Sequence, residues 1–166
     1  MAVPDTGPER PRTNPIRPTD DEARRLARSL IDEARFAALA VLAEGRPVVT
    51  RIALGTTPRG APLTLVSDLA AHTVALRADP KASLLVGEPG PRGDPLTHPR
   101  LTLEATARFL RKDPALRAHY LATHPKSKLY VDFADFHFVT FDVVAAHLNG
   151  GFGKAFRLTP ADLGLG

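Results

Sequence analysis

The chain has 166 residues, 43% of them apolar and 6% aromatic, with no Cys, no Trp and a net charge of +4. That suffices for one domain with a packed core, and the lack of Cys excludes disulfides, thiolate catalysis and cysteine-ligated metal centres. The arginines are spread along the chain and aromatic residues are few, which argues against a nucleic-acid surface.

Residues 1–18 carry Pro4, Pro8, Pro11, Pro15 and Pro18 with few apolar partners, the pattern of a disordered or extended arm. Residues 19–166 read as a single domain. Thr19-Asp20-Asp21-Glu22 matches a capping box with Thr19 as N-cap and Glu22 reaching back. Ala23, Leu26, Ala27, Leu30 and Ala34 recur at helical spacing, which predicts a helix over 20–34. Phe36 to Leu42, Val48 to Leu54 and Pro62 to Val66 read as strands of an antiparallel meander, joined by turns at Glu44 to Pro47 and Thr57 to Gly60. A helix over 70–78 follows, ended by Asp79-Pro80, then a strand around 83–87. The next loop, punctuated by Pro89, Gly90, Pro91, Gly93 and Pro95, is long enough to suggest a binding segment.

Arg100 to Phe109 alternates strictly, with Leu101, Leu103, Ala105 and Ala107 on one side. A short helix over 113–122 stops at His124-Pro125, and Phe136 to Leu148 reads as a further strand. Asn149-Gly150-Gly151-Phe152-Gly153 turns the chain, Phe156 and Leu158 close the sheet, and Thr159-Pro160 opens a last helical turn. The fold class is therefore mainly β (α+β): six to seven antiparallel strands with three inserted helices, and a nearly closed barrel buries one face of so many strands most economically. No apolar run spans a membrane, and the first residues lack the apolar core of a secretory signal, so a cytoplasmic protein is expected.

Chemistry concentrates where the strand ending at Val66-Ser67 feeds the helix over 70–78 through Asp68-Leu69-Ala70-Ala71-His72-Thr73. Unpaired N–H groups and the helix dipole make such a junction an anion site, so a phosphorylated ligand is the leading expectation. Ser67 and Thr73 have an ordinary alternative as helix caps, and His72 one as a surface histidine. Arg51, in a strand of Val, Thr, Ile, Ala and Leu, either points to solvent or pairs with phosphate. The other histidines are scattered and no dedicated metal site is expected; His119, His124 and His147 are equally open as axial ligands to haem. Three glycines in the Asn149–Gly153 turn suit either positive φ or close approach to a ligand.

Five segments in order resemble one family. They are Ser67 to Thr73, Asp79-Pro80-Lys81-Ala82-Ser83-Leu84, Gly93 to Leu101, Tyr130-Val131-Asp132-Phe133-Ala134-Asp135-Phe136 and Asn149 to Gly153. Together they look like the HugZ branch of the pyridoxamine 5′-phosphate oxidase-like flavoproteins, over roughly Asp20 to Leu163. The resemblance implies an FMN-binding split barrel that works as a homodimer with flavin at the subunit interface. It places the FMN phosphate on Ser67, His72 and Thr73, with Thr50 and Arg51 facing the phosphate or the ring. Asn149 and Gly151 would approach the site in their turn, the other subunit being one source.

The implied function is a flavin-dependent oxidoreductase, taking electrons from a reduced nicotinamide and passing them to a small-molecule redox partner. A haem-binding protein of the same fold, and a cofactor-free dimeric binding module, are the alternatives. The chain stops at Leu163-Gly164-Leu165-Gly166. It thus lacks the Arg-containing C-terminal segment of the oxidase proper and the C-terminal extension of longer HugZ relatives, so neither pyridoxamine phosphate oxidation nor haem degradation is expected.

Overall fold

The computed structural model describes residues 14–166. The arm expected over 1–18 therefore lies outside the described residues up to 13, and its last part is extended. Ile16–Arg17 (β1) is a strand, pairing in parallel with Ala155–Leu158 (β9). Helix α1 spans Asp21–Glu33 and starts one residue later than the capping box requires. Asp20 is its N-cap, accepting from Ala23 N–H at 2.7 Å, while the Thr19 hydroxyl donates to the Arg157 carbonyl at 2.9 Å. Asp outranks Thr as a cap, and Asp21 and Glu22 in the first turn complement the helix dipole.

Phe36–Ala43 (β2) and Arg46–Ala53 (β3) form a hairpin whose two turn residues, Glu44 and Gly45, both have positive φ, at 52° and 74°. That is the mirror-image turn whose twist matches the flanking strands. Gly55–Thr56 (β4), Pro62–Ser67 (β5), helix α2 at Ala71–Ala78 and Lys81–Val86 (β6) follow. Arg100–Leu110 (β7), helix α3 at Pro114–Thr123 and the 14-residue Phe136–Asn149 (β8) lead to β9. The described residues thus hold nine strands rather than six to seven. The extra two, β1 and β4, have two residues each, too short to carry an alternation.

The strands are ordered β1-β9-β8-β7-β6-β2-β3, with β5 pairing to both β8 and β4. A register shift between Glu104 and Ala105 leaves Val144 as an extra residue in β8, and such bulges bend a strand. The first part of β8 can then pair with β5 and its last part with β9. The sheet curls until β5 approaches β3, but the ladder from β4 to β5 ends at Gly55–Leu63. Beyond it the Thr64 hydroxyl donates to the Ala53 carbonyl at 2.6 Å, a side chain standing in for a lost backbone bond. The barrel is split there rather than closed.

One transverse row on the inner face, Leu39–Leu84–Leu103–Ala146–Leu158, is in register across five strands and fully buried. Burial of each leucine there is worth about 1.5–3 kcal/mol. Ala23, Ala27 and Ile31 of α1 pack on the same core. A second cluster, Leu63, Leu116, Tyr120, Val131 and Phe138, lies under α3. It covers the other face of β8, which explains four consecutive buried residues from Phe138 to Phe141 where a half-exposed strand would alternate. No helix among the described residues is long and apolar enough to cross a membrane.

Candidate functional site

The residues expected around one phosphate fall into three places. Ser67 pairs with Phe136 at the start of β8, whereas Asn149 pairs with Arg100 at its other end. Roughly 40 Å of strand separates them. The Asn149 side chain closes its own turn by accepting from Gly151 N–H at 3.1 Å. Gly151 has φ +117°, and an added Cβ would lie 3.2 Å from the Thr97 carbonyl, so this turn packs on the segment before β7. Within one protomer it does not meet the Ser67–Thr73 loop.

Thr50 and Arg51 are consecutive strand residues and point to opposite faces. Thr50 lies opposite Leu39 on the inner face, and Arg51 opposite Ala38 on the outer one. The Arg51 guanidinium sits 5.2 Å from the Phe36 ring centroid. The β4–β5 register, extended toward Ser67, brings the end of β5 level with this part of β3, across the split.

At the loop itself Ser67 is already engaged. Its hydroxyl donates to Asp135 Oδ2 at 3.1 Å and accepts from Leu69 N–H at 3.2 Å. Asp68 accepts from His137 Nε2–H at 2.8 Å and from Arg77 at 3.0 Å. The His137 bond first, and the Arg77 bond second, hold the Asp68 carboxyl below its ordinary pKa. Arg77 in turn stacks 4.1 Å over Phe109. Neither Ser67 nor Thr73 caps α2: its N-cap is Ala70, with no side-chain bond. Thr73 is fully buried, and its Oγ1 has no hydrogen-bond partner. His72 is half-buried, and burial pushes its pKa down, toward the neutral form.

Spacing did not reveal Asp135 as a partner of Ser67, because it comes there through strand pairing from 68 residues away. His137 was classed with the scattered histidines for the same reason.

The outer face of the sheet forms a second region. Two rows lie in register across β3, β2, β6, β7 and β8: Arg51–Ala38–Leu85–Thr102–His147, and Val49–Ala40–Ser83–Glu104–Ala145. None of these ten residues is buried, in contrast to the leucine row behind them. Phe36, Val49 and Leu85 are exposed apolar side chains there, at 37%, 66% and 44%. A groove of 690 Å³ runs over the β3, β2 and β6 part, walled by Phe36, Ala38, Val49, Arg51, Leu85 and Pro89. Among the described residues Arg51 has no carboxylate partner, so its charge is available to a ligand.

Of the histidines open as haem ligands, His124 has both ring nitrogens engaged, by Thr123 and the Arg35 carbonyl, and stacks on Tyr120. His147 donates Nε2–H to Glu104 at 2.6 Å. His119 is exposed on α3. No three His, Asp or Glu side chains converge as a metal centre among the described residues.

The chain is similar to known proteins over most of its length. The pattern of the pyridoxamine 5′-phosphate oxidase family matches residues 23–149. The chloroplastic heme oxygenase HOZ of Arabidopsis thaliana is 36% identical over 116 residues, 68% of this chain and 35% of that protein. The chain thus spans about a third of the length of this curated relative. The heme-binding protein from Mycobacterium smegmatis is 30% identical, with a TM-score of 0.78 over 90% of this chain and 61% of that one. A protein of unknown function from Agrobacterium tumefaciens, Atu2129, is 34% identical, with a TM-score of 0.74 over 90% and 63%.

Proposed function

The chain belongs to the pyridoxamine 5′-phosphate oxidase family, and from that premise we propose that it is a haem-binding member acting as a homodimer, with haem on the outer sheet face. The observation that carries this reading is the open groove with an unpaired cation at its edge. A wide surface lined by apolar Phe36, Val49 and Leu85 and by charged Glu33, Arg35, Arg51 and Glu88 suits a flat amphipathic ligand. Phe36, Val49 and Leu85 would cover the macrocycle, the small Ala38, Ala40 and Ser83 let it lie close to the sheet, and Arg51 would pair with a propionate. Bound haem supplies a redox-active iron; the chain's part is to hold the porphyrin and limit its contact with water. A second copy laid on the same exposed face would complete that cover. The names of the Arabidopsis and Mycobacterium relatives support the choice of haem.

A second reading, the FMN-dependent oxidoreductase acting on a small redox partner, is favoured by one observation. The N-terminus of α2 has no side-chain cap, so its first N–H groups are free for an anion. Parallel absorbance titrations with haem and with FMN decide between the two, with sedimentation to read the oligomer. Saturable growth of a Soret band, and about tenfold weaker haem uptake by Arg51→Ala, support haem. Saturable flavin uptake without a Soret band overturns it.

A further inference from the structure

The groove on the outer sheet face is polarised across the strands. Arg51 stands on β3, and its row runs through Ala38 of β2 to Leu85 of β6, about 10 Å away at strand spacing. Its guanidinium lies 5.2 Å from the Phe36 ring centroid, at the β3 side of the groove. On the β6 side the chain runs past Gly87 to Glu88 and meets the end of α1: a Cβ added at Gly87 would lie 3.3 Å from Leu30 Cδ2. Glu33 follows Leu30 by one turn of that helix and so shares its face. Glu33 and Glu88 both line the groove and are exposed, and neither has an ion-pair partner among the described residues.

The remaining charge in the wall, Arg35, is turned onto the end of α1. Its Nη1 donates to the carbonyls of Asp32, Glu33 and Ala34 at 3.1, 3.3 and 3.3 Å, so it offsets the negative end of the helix dipole. Glu104 of β7, the next carboxylate on the same face, is engaged by His147. The β6 side therefore holds two free carboxylates, a helix C-terminus and one cation bound to that terminus, while the β3 side holds Arg51.

We infer that Glu33 and Glu88 make the groove selective for a porphyrin whose acid groups lie along one edge only. The inference rests on the haem reading and names the ligand class of that same site. Haem carries two propionates on one edge, which Arg51 would face, and uncharged vinyl groups on the other, which suit Leu30 and Pro89 on the β6 side. A tetracarboxylate such as iron coproporphyrin has propionates in place of the vinyls and would set them against Glu33 and Glu88. The selectivity is a repulsive device, built from like charges rather than from added contacts to haem.

The test is a pair of Soret titrations, with haem and with iron coproporphyrin, on the wild type and on Glu33→Gln/Glu88→Gln. The wild type is expected to bind haem about tenfold more tightly than iron coproporphyrin. The double variant should bring that ratio to within about twofold, and 1 M salt should shrink it in the wild type by screening. Equal binding of the two porphyrins by the wild type, or a preference that survives both substitutions, would overturn the inference while leaving the haem reading in place. Absence of saturable uptake of either porphyrin would overturn both. Thermal melts show that each variant is folded, and Glu88→Gln alone is the milder change should the double variant unfold.

Discussion

Arg24 Nε donates to Asp162 Oδ1 at 2.8 Å and so ties the first helix to the last turn of the chain, 138 residues away. Asp162 also accepts from the Thr159 backbone N–H at 2.9 Å and the Thr159 hydroxyl at 2.8 Å. The Thr159 backbone bond first, and the Arg24 bond second, pull its carboxyl down from 3.8 to about 2.

A carboxyl whose folded pKa is depressed stabilises the fold above its unfolded pKa, and that stability is lost as pH falls through the folded one. The contribution is therefore complete above about pH 4 and fades toward pH 2. Asp162→Asn should lower stability at pH 7 by about 1 kcal/mol, solvent screening included. It should also flatten the acid limb of the stability curve between those values. Urea midpoints measured across that range check this, and an unchanged acid limb would contradict it.

Gly87 closes β6 at φ +97°, where an added Cβ would lie 2.5 Å from the Pro99 carbonyl and 2.8 Å from Arg100 Cα. Gly45 also has positive φ, +74°, but nothing within 4 Å. Gly87→Ala should therefore cost about 2 kcal/mol or more, and Gly45→Ala about 1 kcal/mol. Chemical denaturation of the pair reads the order. Equal losses would mean that the β6–β7 connection gives way freely.

His98 bridges its own loop: Nδ1 accepts from Gly90 N–H at 3.2 Å while Nε2–H donates to the Arg92 carbonyl at 2.8 Å. Those two roles define one neutral tautomer. His98→Ala removes both bonds, so tryptic cleavage after Arg92 should accelerate several-fold while the thermal midpoint barely moves. Unchanged cleavage would show that the prolines alone hold this segment.

Thr73 Oγ1 is buried without a partner. Replacing a hydroxyl by a methyl of the same shape removes an unmet desolvation cost, so Thr73→Val should gain about 1 kcal/mol, or about 2–4 °C. A thermal melt measures it. A loss of stability would mean that the hydroxyl is bonded after all, and a loss of FMN binding would return Thr73 to the phosphate.

The local pattern already carried most of the architecture. The alternation of Leu101, Leu103, Ala105 and Ala107 placed β7 and its buried face correctly, and all four are buried. Helical spacing from Ala23 to Ala34 placed α1, because a period of 3.6 or 2 is a property of neighbouring residues. Phe138 to Phe141 was harder, since burial on both faces depends on α3 arriving from elsewhere in the chain.

The candidate site was legible only as residue types. The sequence by itself determined that a strand end meets a helix start at Ser67–Thr73, and that Arg51 interrupts an apolar strand. Only the tertiary structure decided that Thr50 takes the inner face and Arg51 the outer one, and that Asn149 and the partner of Ser67 sit at opposite ends of β8. It alone brought Asp135 and His137 to the loop. The physical reason is range. Helix and strand signals come from side chains a few residues apart, whereas the charge at a site is summed over groups that strand pairing gathers from the whole chain.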